Sequence, residues 1–192
     1  MRILVAAASK YGATKGIAER IGEKLRAAGH QVEVRPAELG GELAGYGAYG
    51  PYGAFVIGSA VYFARWMKEA AEFVRLNRFV LAHRPLWLFS SGPLGTKTTD
   101  SQGRKLTAVS EPKEIAEFRE SVKPRGHRVF FGALDRGKLG FRDRAIAKLP
   151  ASRTLLPEGD FRDWQDIEAW AEGIASELAE GHVSQDRGVT RT

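Results

Sequence analysis

The chain has 192 residues, a length that suits one compact domain with a sizeable core. Hydrophobic residues make up 43% and charged residues 27%, the balance of a folded chain and not of a disordered one. Lys and Arg number 29 against 23 Asp and Glu, a net charge of +6, and the lack of cysteine excludes disulfide scaffolds, thiolate chemistry and cysteine-ligated metal centres.

Arg2–Ala8 is a continuous aliphatic run, the pattern of a strand covered on both faces. It is too short for a secretory signal core or a membrane span, and later apolar runs are also strand-sized. A cytoplasmic protein is therefore the default expectation, with peripheral attachment to the inner face of the membrane left open. From Thr14 the period lengthens: Ile17, Ile21 and Leu25 line one helical face, and Gly29 supplies a stop. Gln31–Arg35 reads as the second strand, and strand, helix, strand makes a right-handed βαβ unit.

Residues 36–53 hold six glycines and read as a short helix followed by turns. Gly53–Ser59 is a third buried strand, and the spacing of Trp66, Ala70, Phe73 and Val74 predicts a helix over 64–76. Pro85–Phe89 is the fourth strand, running into the segment Ser-Ser-Gly-Pro-Leu-Gly-Thr; the polar stretch 97–113 reads as surface loop. Glu114–Val122 is a helix and His127–Ala133 the fifth strand. Residues 136–153 carry Arg136, Lys138, Arg142, Arg144, Lys148 and Arg153 against the single acid Asp143, nearly the whole positive excess of the chain. Asp160 or Asp163 can cap a last helix whose buried face is Ile167, Trp170, Ala171, Ile174 and Leu178. The expected layout is one domain over 1–180, with a basic insertion at about 136–158 and a disordered tail from 181 to 192.

Strands alternating with helices predict an α/β three-layer sandwich around a five-stranded parallel sheet. In such a sheet, ligands bind beyond the carboxyl ends of the strands. That directs attention to Ser9–Thr14, Ser59–Arg65, Ser90–Thr96 and the stretch after Ala133. In the first of these, Gly12 permits a tight turn, the opening amides of the following helix lack internal acceptors, and Ser9 and Thr14 add hydroxyls. The residues alone fit either a phosphate cradle or an ordinary loop before a Thr14-capped helix. The pattern is neither the dinucleotide glycine fingerprint nor the Walker lysine loop, which counts against NAD binding and ATP hydrolysis.

Three segments together resemble the flavodoxin-like family over about residues 2–135. Ser9, Gly12, Ala13 and Thr14 match that family's FMN phosphate loop. The run from Tyr52 to Tyr62 resembles its third strand and first flavin-contacting loop, and Leu88–Gly95 falls where the second flavin loop should lie. The resemblance implies FMN as cofactor. Ser9, Lys10, Tyr11, Gly12, Ala13 and Thr14 would lie at its phosphate. Ala60, Val61, Tyr62 and Phe63 would lie on one side of its ring, and Ser90, Ser91, Gly92, Pro93, Leu94 and Gly95 on the other. Tyr62 is the stacking candidate, while Trp66 reads as helix packing beside Phe73.

Classical flavodoxins are acidic, and this chain is basic. The run Gly132–Asp135, the basic stretch and Asp163–Asp166 look similar to the menaquinone-dependent protoporphyrinogen oxidase branch of that family. The branch implies an oxidoreductase passing electrons from protoporphyrinogen IX through FMN to a quinone. Arg142, Arg144 and Lys148 would then meet an anionic substrate or an anionic membrane surface. A solvated basic helix fits the same residues. Two other readings stay open, a flavodoxin-type electron carrier and a flavin-free regulatory or interaction domain, and a homo-oligomer is open in all of them. No nucleic-acid module is present, so no nucleic acid is expected as partner. The histidines, His30, His83, His127 and His182, are too scattered for a metal site; His83 and His127 read as structural or exposed. No residue stands out as general acid or base, and Asp135 is at the ligand end of the sheet but equally suits a loop cap.

Overall fold

The structure, a computed structural model, describes residues 1–39, 43, 51–140 and 157–186. Five parallel strands form the sheet: β1 (Arg2–Ala8), β2 (Gln31–Pro36), β3 (Ala54–Tyr62), β5 (Leu86–Ser91) and β6 (Gly126–Phe130). Their order is β2-β1-β3-β5-β6, and the two-residue β4 (Arg65–Trp66) folds back antiparallel on β3. Helix α1 (Ala13–Ala27) crosses from β1 to β2, α2 (Lys68–Leu76) and α3 (Arg78–Ala82) lead from β4 to β5, and α4 (Leu106–Val109) and α5 (Glu114–Ser121) lead from β5 to β6. After β6 come the two-residue strands β7 (Ala133–Leu134) and β8 (Gly159–Asp160), paired with each other, and then α6 (Trp164–Asp186).

The continuous apolar runs become strands because both faces of the sheet are covered. Leu4, Ala6, Phe55, Ile57 and Leu88 point to the face packed by Phe73, Val74, Leu81, Ile115 and Phe118 of α2, α3 and α5. Ile3, Val5, Val56, Trp87 and Phe89 point to the other face, packed by Ile17, Ile21 and Leu25 of α1 and by Ile167, Ala171, Ile174 and Leu178 of α6. The Asp163 carboxylate accepts the Asp166 N–H at 3.0 Å, so of the two expected caps Asp163 opens α6, while Asp160 pairs with Arg162.

Several boundaries differ from the sequence reading. The segment 64–76 is not one helix: Trp66 lies on β4, and the helix begins at Lys68. The spacing of Trp66, Ala70 and Phe73 is helical, but Trp66 reaches the core from the return strand of a hairpin. Strand β3 runs to Tyr62 and β5 to Ser91, each two or three residues past the expected end, because backbone pairing continues into the polar residues. Strand β6 stops at Phe130, and Ala133–Leu134 pairs separately with Gly159–Asp160. The stretch 97–113 contains α4 and a bridge between Thr99 and Lys105. Helix α6 continues to Asp186, past Gly181 where the tail was expected to start. Residues 40–42, 44–50, 141–156 and 187–192 lie outside the described residues, and with them Arg142, Arg144 and Lys148.

Gly58 sits in the middle of β3 under the Phe89 ring, where an added Cβ would lie 2.0 Å from Phe89 Cζ. Phe89 itself packs against the Phe130 and Trp170 rings, with centroids 6.2 and 6.3 Å away. Gly58→Ala should therefore destabilise by about 1–3 kcal/mol, the usual cost of overpacking, read from the urea midpoint. Adding Phe89→Leu should recover part of that loss.

Candidate functional site

The carboxyl ends of β1, β3 and β5 deliver three loops to one end of the sheet. The first, Ser9–Gly12, turns from β1 into α1. The Gly12 N–H donates to Ser9 Oγ at 3.1 Å, and Gly12 has φ 90°, a left-handed conformation strained for any side chain. No side chain caps α1, its first turn carries no acid, and a Cβ at Gly12 would meet nothing within 4 Å. Thr14 is not the cap; it is the second residue of the helix and is buried. The result is a helix N-terminus with no side-chain cap, no acid nearby in sequence and the positive partial charge of its first amides, an arrangement that favours an anion.

The second loop is the hairpin joining β3 to β4. Phe63 and Ala64 take φ 51° and 58°, the backbone of a two-residue turn matched to the twist of the strands. Phe63 at the tip is 99% exposed and Tyr62 38%, whereas Ala60 is buried and Val61 packs against the core. Behind the tip the hairpin is pinned by buried polar groups. The Trp66 N–H donates to Glu114 Oε2 at 3.1 Å, and the Met67 N–H donates to Ser59 Oγ at 2.9 Å. Arg65 closes on the other carboxylate oxygen of Glu114 at 3.3 Å.

The third loop, from Ser90 to Gly95, is anchored through its backbone: Gly92 N–H donates to the Phe130 carbonyl, and Gly132 N–H to that of Pro93. Ser90 is fully buried. Its Oγ accepts from Trp66 Nε1 at 2.8 Å and lies 2.8 Å from His127 Nε2, while His127 Nδ1 lies 3.2 Å from Glu111 Oε1. Burial pushes the His127 imidazole below its ordinary pKa, outweighing the opposing pull of Glu111. Arg119, bonded to both Glu111 oxygens, holds that carboxyl below its ordinary pKa. His127 thus lies inside β6 and beneath the loops; His83 is exposed, its Nδ1 at 2.7 Å from the Phe79 carbonyl.

The three loops are tied to one another. Lys10 Nζ stands 5.2 Å from the Tyr11 ring centroid and 5.7 Å from that of Tyr62, joining the first loop to the hairpin. The Trp66 indole joins the hairpin to Ser90. Tyr11 and Leu94 pack on Leu134 and Leu139, which joins the first loop to the third through the start of the basic insertion. Pro157, where the chain returns, stands 3.4 Å from the place a Cβ on Gly95 would occupy. Asp135 caps the first turn of that insertion, accepting the Gly137 N–H at 2.8 Å. Ser9, Lys10, Tyr11, Gly12, Ala13, Thr14, Ala60–Phe63 and Ser90–Gly95 are thereby gathered at one end of the sheet. Leu134, Leu139, Glu111 and Glu114 were missed in the sequence, where only their order along the chain is visible. Among the described residues no group of three or more His, Asp or Glu could hold a metal ion, and no helix is long and apolar enough to cross a membrane.

A family profile described as flavodoxin domain matches residues 4–155. No curated protein matches the chain. Among solved structures, a cysteine-to-serine variant of flavodoxin from Pseudomonas aeruginosa shares 18% identity at TM-score 0.56, covering 93% of this chain and 99% of that one. A flavodoxin from the domain Archaea shares 15% at TM-score 0.55 with the same coverage. The rubredoxin oxygen:oxidoreductase of Desulfovibrio gigas shares 12% at TM-score 0.54, covering 93% of this chain and 36% of that one.

Glu114→Ala should leave the buried Trp66 N–H without an acceptor and cost about 1–3 kcal/mol in chemical unfolding. Hydrogen exchange should localise the change, with the Trp66 and Met67 amides exchanging faster and those of β1 unaffected.

Proposed function

The chain belongs to the flavodoxin-domain family, and we propose that it is an FMN-binding redox domain whose basic insertion receives an anionic substrate. The observation that carries the cofactor assignment is the uncapped N-terminus of α1, without an acid in its first turn and tied to two further loops at the same end of the sheet. The residues fit the group. Ser9, Lys10, Tyr11, Gly12, Ala13 and Thr14 would hold the phosphate, where the helix dipole, the amides and the Lys10 cation all favour negative charge. Ala60, Val61, Tyr62 and Phe63 would lie on one side of the ring and Ser90–Gly95 on the other; exposed aromatics and loop amides are the groups that stack on a flavin and bond its polar edge. FMN, when bound, supplies the electron-transfer chemistry. The protein would position it between the loops, with the α1 N-terminus and Lys10 setting the charge at its phosphate.

The placement of the insertion favours an oxidoreductase over a diffusing carrier. Its two ends pack through Leu134, Leu139 and Pro157 against Tyr11, Leu94 and Gly95, so a substrate held by it would lie beside the cofactor loops. The finer reading is oxidation of protoporphyrinogen IX with a quinone as acceptor, in the cytoplasm or at the inner face of a membrane. It rests on the branch resemblance and on cationic side chains suited to propionates or anionic lipid.

Protein reconstituted with excess FMN and desalted should keep the two visible absorption bands of bound flavin; colourless protein would overturn the cofactor assignment. Lys10→Ala combined with Thr14→Ala should weaken FMN binding by about tenfold or more, the factor for roughly 1.4 kcal/mol of lost phosphate contact, as read by fluorescence titration. Neutralising Arg142, Arg144 and Lys148 together should reduce turnover of protoporphyrinogen with a quinone, or binding to anionic vesicles, while FMN affinity holds. If both survive unchanged, the insertion takes no part.

A further inference from the structure

Four side chains far apart in sequence form one hydrogen-bonded line beneath the cofactor loops: Glu111 before α5, His127 on β6, Ser90 at the end of β5, and Trp66 on β4. Their proton assignment follows from the partners. Trp66 Nε1 can only donate, so Ser90 Oγ accepts there. The carboxylate of Glu111 can only accept, so His127 carries its proton on Nδ1, leaving Nε2 as the acceptor for the Ser90 hydroxyl. Every polar atom of the line is then satisfied, in one direction only. The arrangement has the order of a hydrolytic serine–histidine–acid triad, but Ser90 is fully buried and already holds the Trp66 indole, so no substrate reaches it.

We propose that His127 is a positioning residue whose neutral form clamps the two ring-side loops together, and that its protonation releases the clamp and weakens cofactor binding. The proposal rests on the FMN reading and deepens it. The physical reason is the direction of the line. Protonated His127 turns Nε2 into a donor, so Ser90 Oγ would receive from both Nε2 and Trp66 Nε1 while its own proton loses the His127 acceptor. Ser90 Oγ can accept both bonds, but its own proton is left without an acceptor and a charge is buried; opening the line to water relieves both, at the expense of the Trp66–Ser90 bond that joins the hairpin to the third loop. The charges facing His127 are Glu111, from the segment before α5, and Arg119 of α5 behind it; α4 brings only Leu106–Val109, without an ionisable group. Arg128, the next residue of β6, turns to the opposite face and pairs with Asp166.

The sign is set by burial. The imidazole binds its proton less readily in the clamped state than in an open one, so the clamp is fully formed above the ordinary histidine value of 6.5 and is lost as pH falls below it. Arg119 keeps Glu111 ionised through that window.

The test measures FMN affinity of the full chain from pH 7.5 to 5.0 for wild type, His127→Gln and Glu111→Gln. The FMN phosphate titrates near pH 6 itself, so the readout is each variant's affinity relative to wild type. Wild type should lose about tenfold more affinity over the range than His127→Gln. Glu111→Gln, which removes the charge that supports the imidazolium, should move the loss to lower pH. A wild-type to His127→Gln ratio that stays constant with pH overturns the proposal. If wild type binds no FMN at any pH, the cofactor reading fails and the line is judged separately in the flavin-free chain. There, the nitrogen NMR shifts of His127 should show the Nδ1–H tautomer with a depressed titration, and an Nε2–H tautomer or an ordinary titration overturns it.

Discussion

The whole molecule depends on burial of the sheet from both sides. Alternate residues of β1 and β3 enter two different cores, so neither strand can slip by one position without exchanging them. A strand so confined offers nothing to solvent along its length. The only places left for chemistry are the ends, and the crossovers send every loop after a parallel strand to the same end. The gathering of Ser9–Thr14, the Phe63 hairpin and Ser90–Gly95 is thus a product of sheet topology before it is a product of any side chain.

Side chains then decide how rigid the gathering is. Buried polar residues under the loops bond across chain segments: Ser59 to the Met67 amide, Glu114 to the Trp66 amide, Ser90 to Trp66 and His127. Such groups are costly to bury unless paired, and once paired they specify geometry more sharply than apolar contacts do. The outer residues, Phe63 and Tyr62, are by contrast exposed, which suits groups that meet a ligand.

Local patterns carried most of this fold. The unbroken run of β1, the i, i+4 face of α1, the Asp163 cap and the apolar stripe of α6 are determined by neighbours within a few residues, and each was readable. The loop Ser9–Thr14 was readable for the same reason, since strand, glycine and helix start adjoin. Trp66 was misplaced because its spacing to Ala70 and Phe73 satisfies a helix, while its true register is set by pairing with Val61. Glu111 and Glu114 passed unnoticed, and His127 was read only as structural or exposed, because the His127–Glu111 and Trp66–Glu114 contacts span 16 and 48 residues and nothing local marks a carboxylate destined for such a role. The ends of β3 and β5 were underestimated for a related cause: serine and tyrosine end an apolar run, yet backbone pairing continues through them.

Helix α6 closes the core face that α1 begins. Arg20 reaches Glu168 across 148 residues of chain, Lys24 bonds both Glu168 and Glu172, and the Arg162 guanidinium donates to the Ala13 carbonyl at the very start of α1. Until those residues leave the ribosome, Ile17, Ile21 and Leu25 have only the sheet beneath them and no helix beside them. The nascent chain therefore carries an open apolar flank until α6 has emerged. Helix α1, which follows the first loop, gains its final support only when α6 arrives, so completion of this core face and the settling of that loop coincide in time.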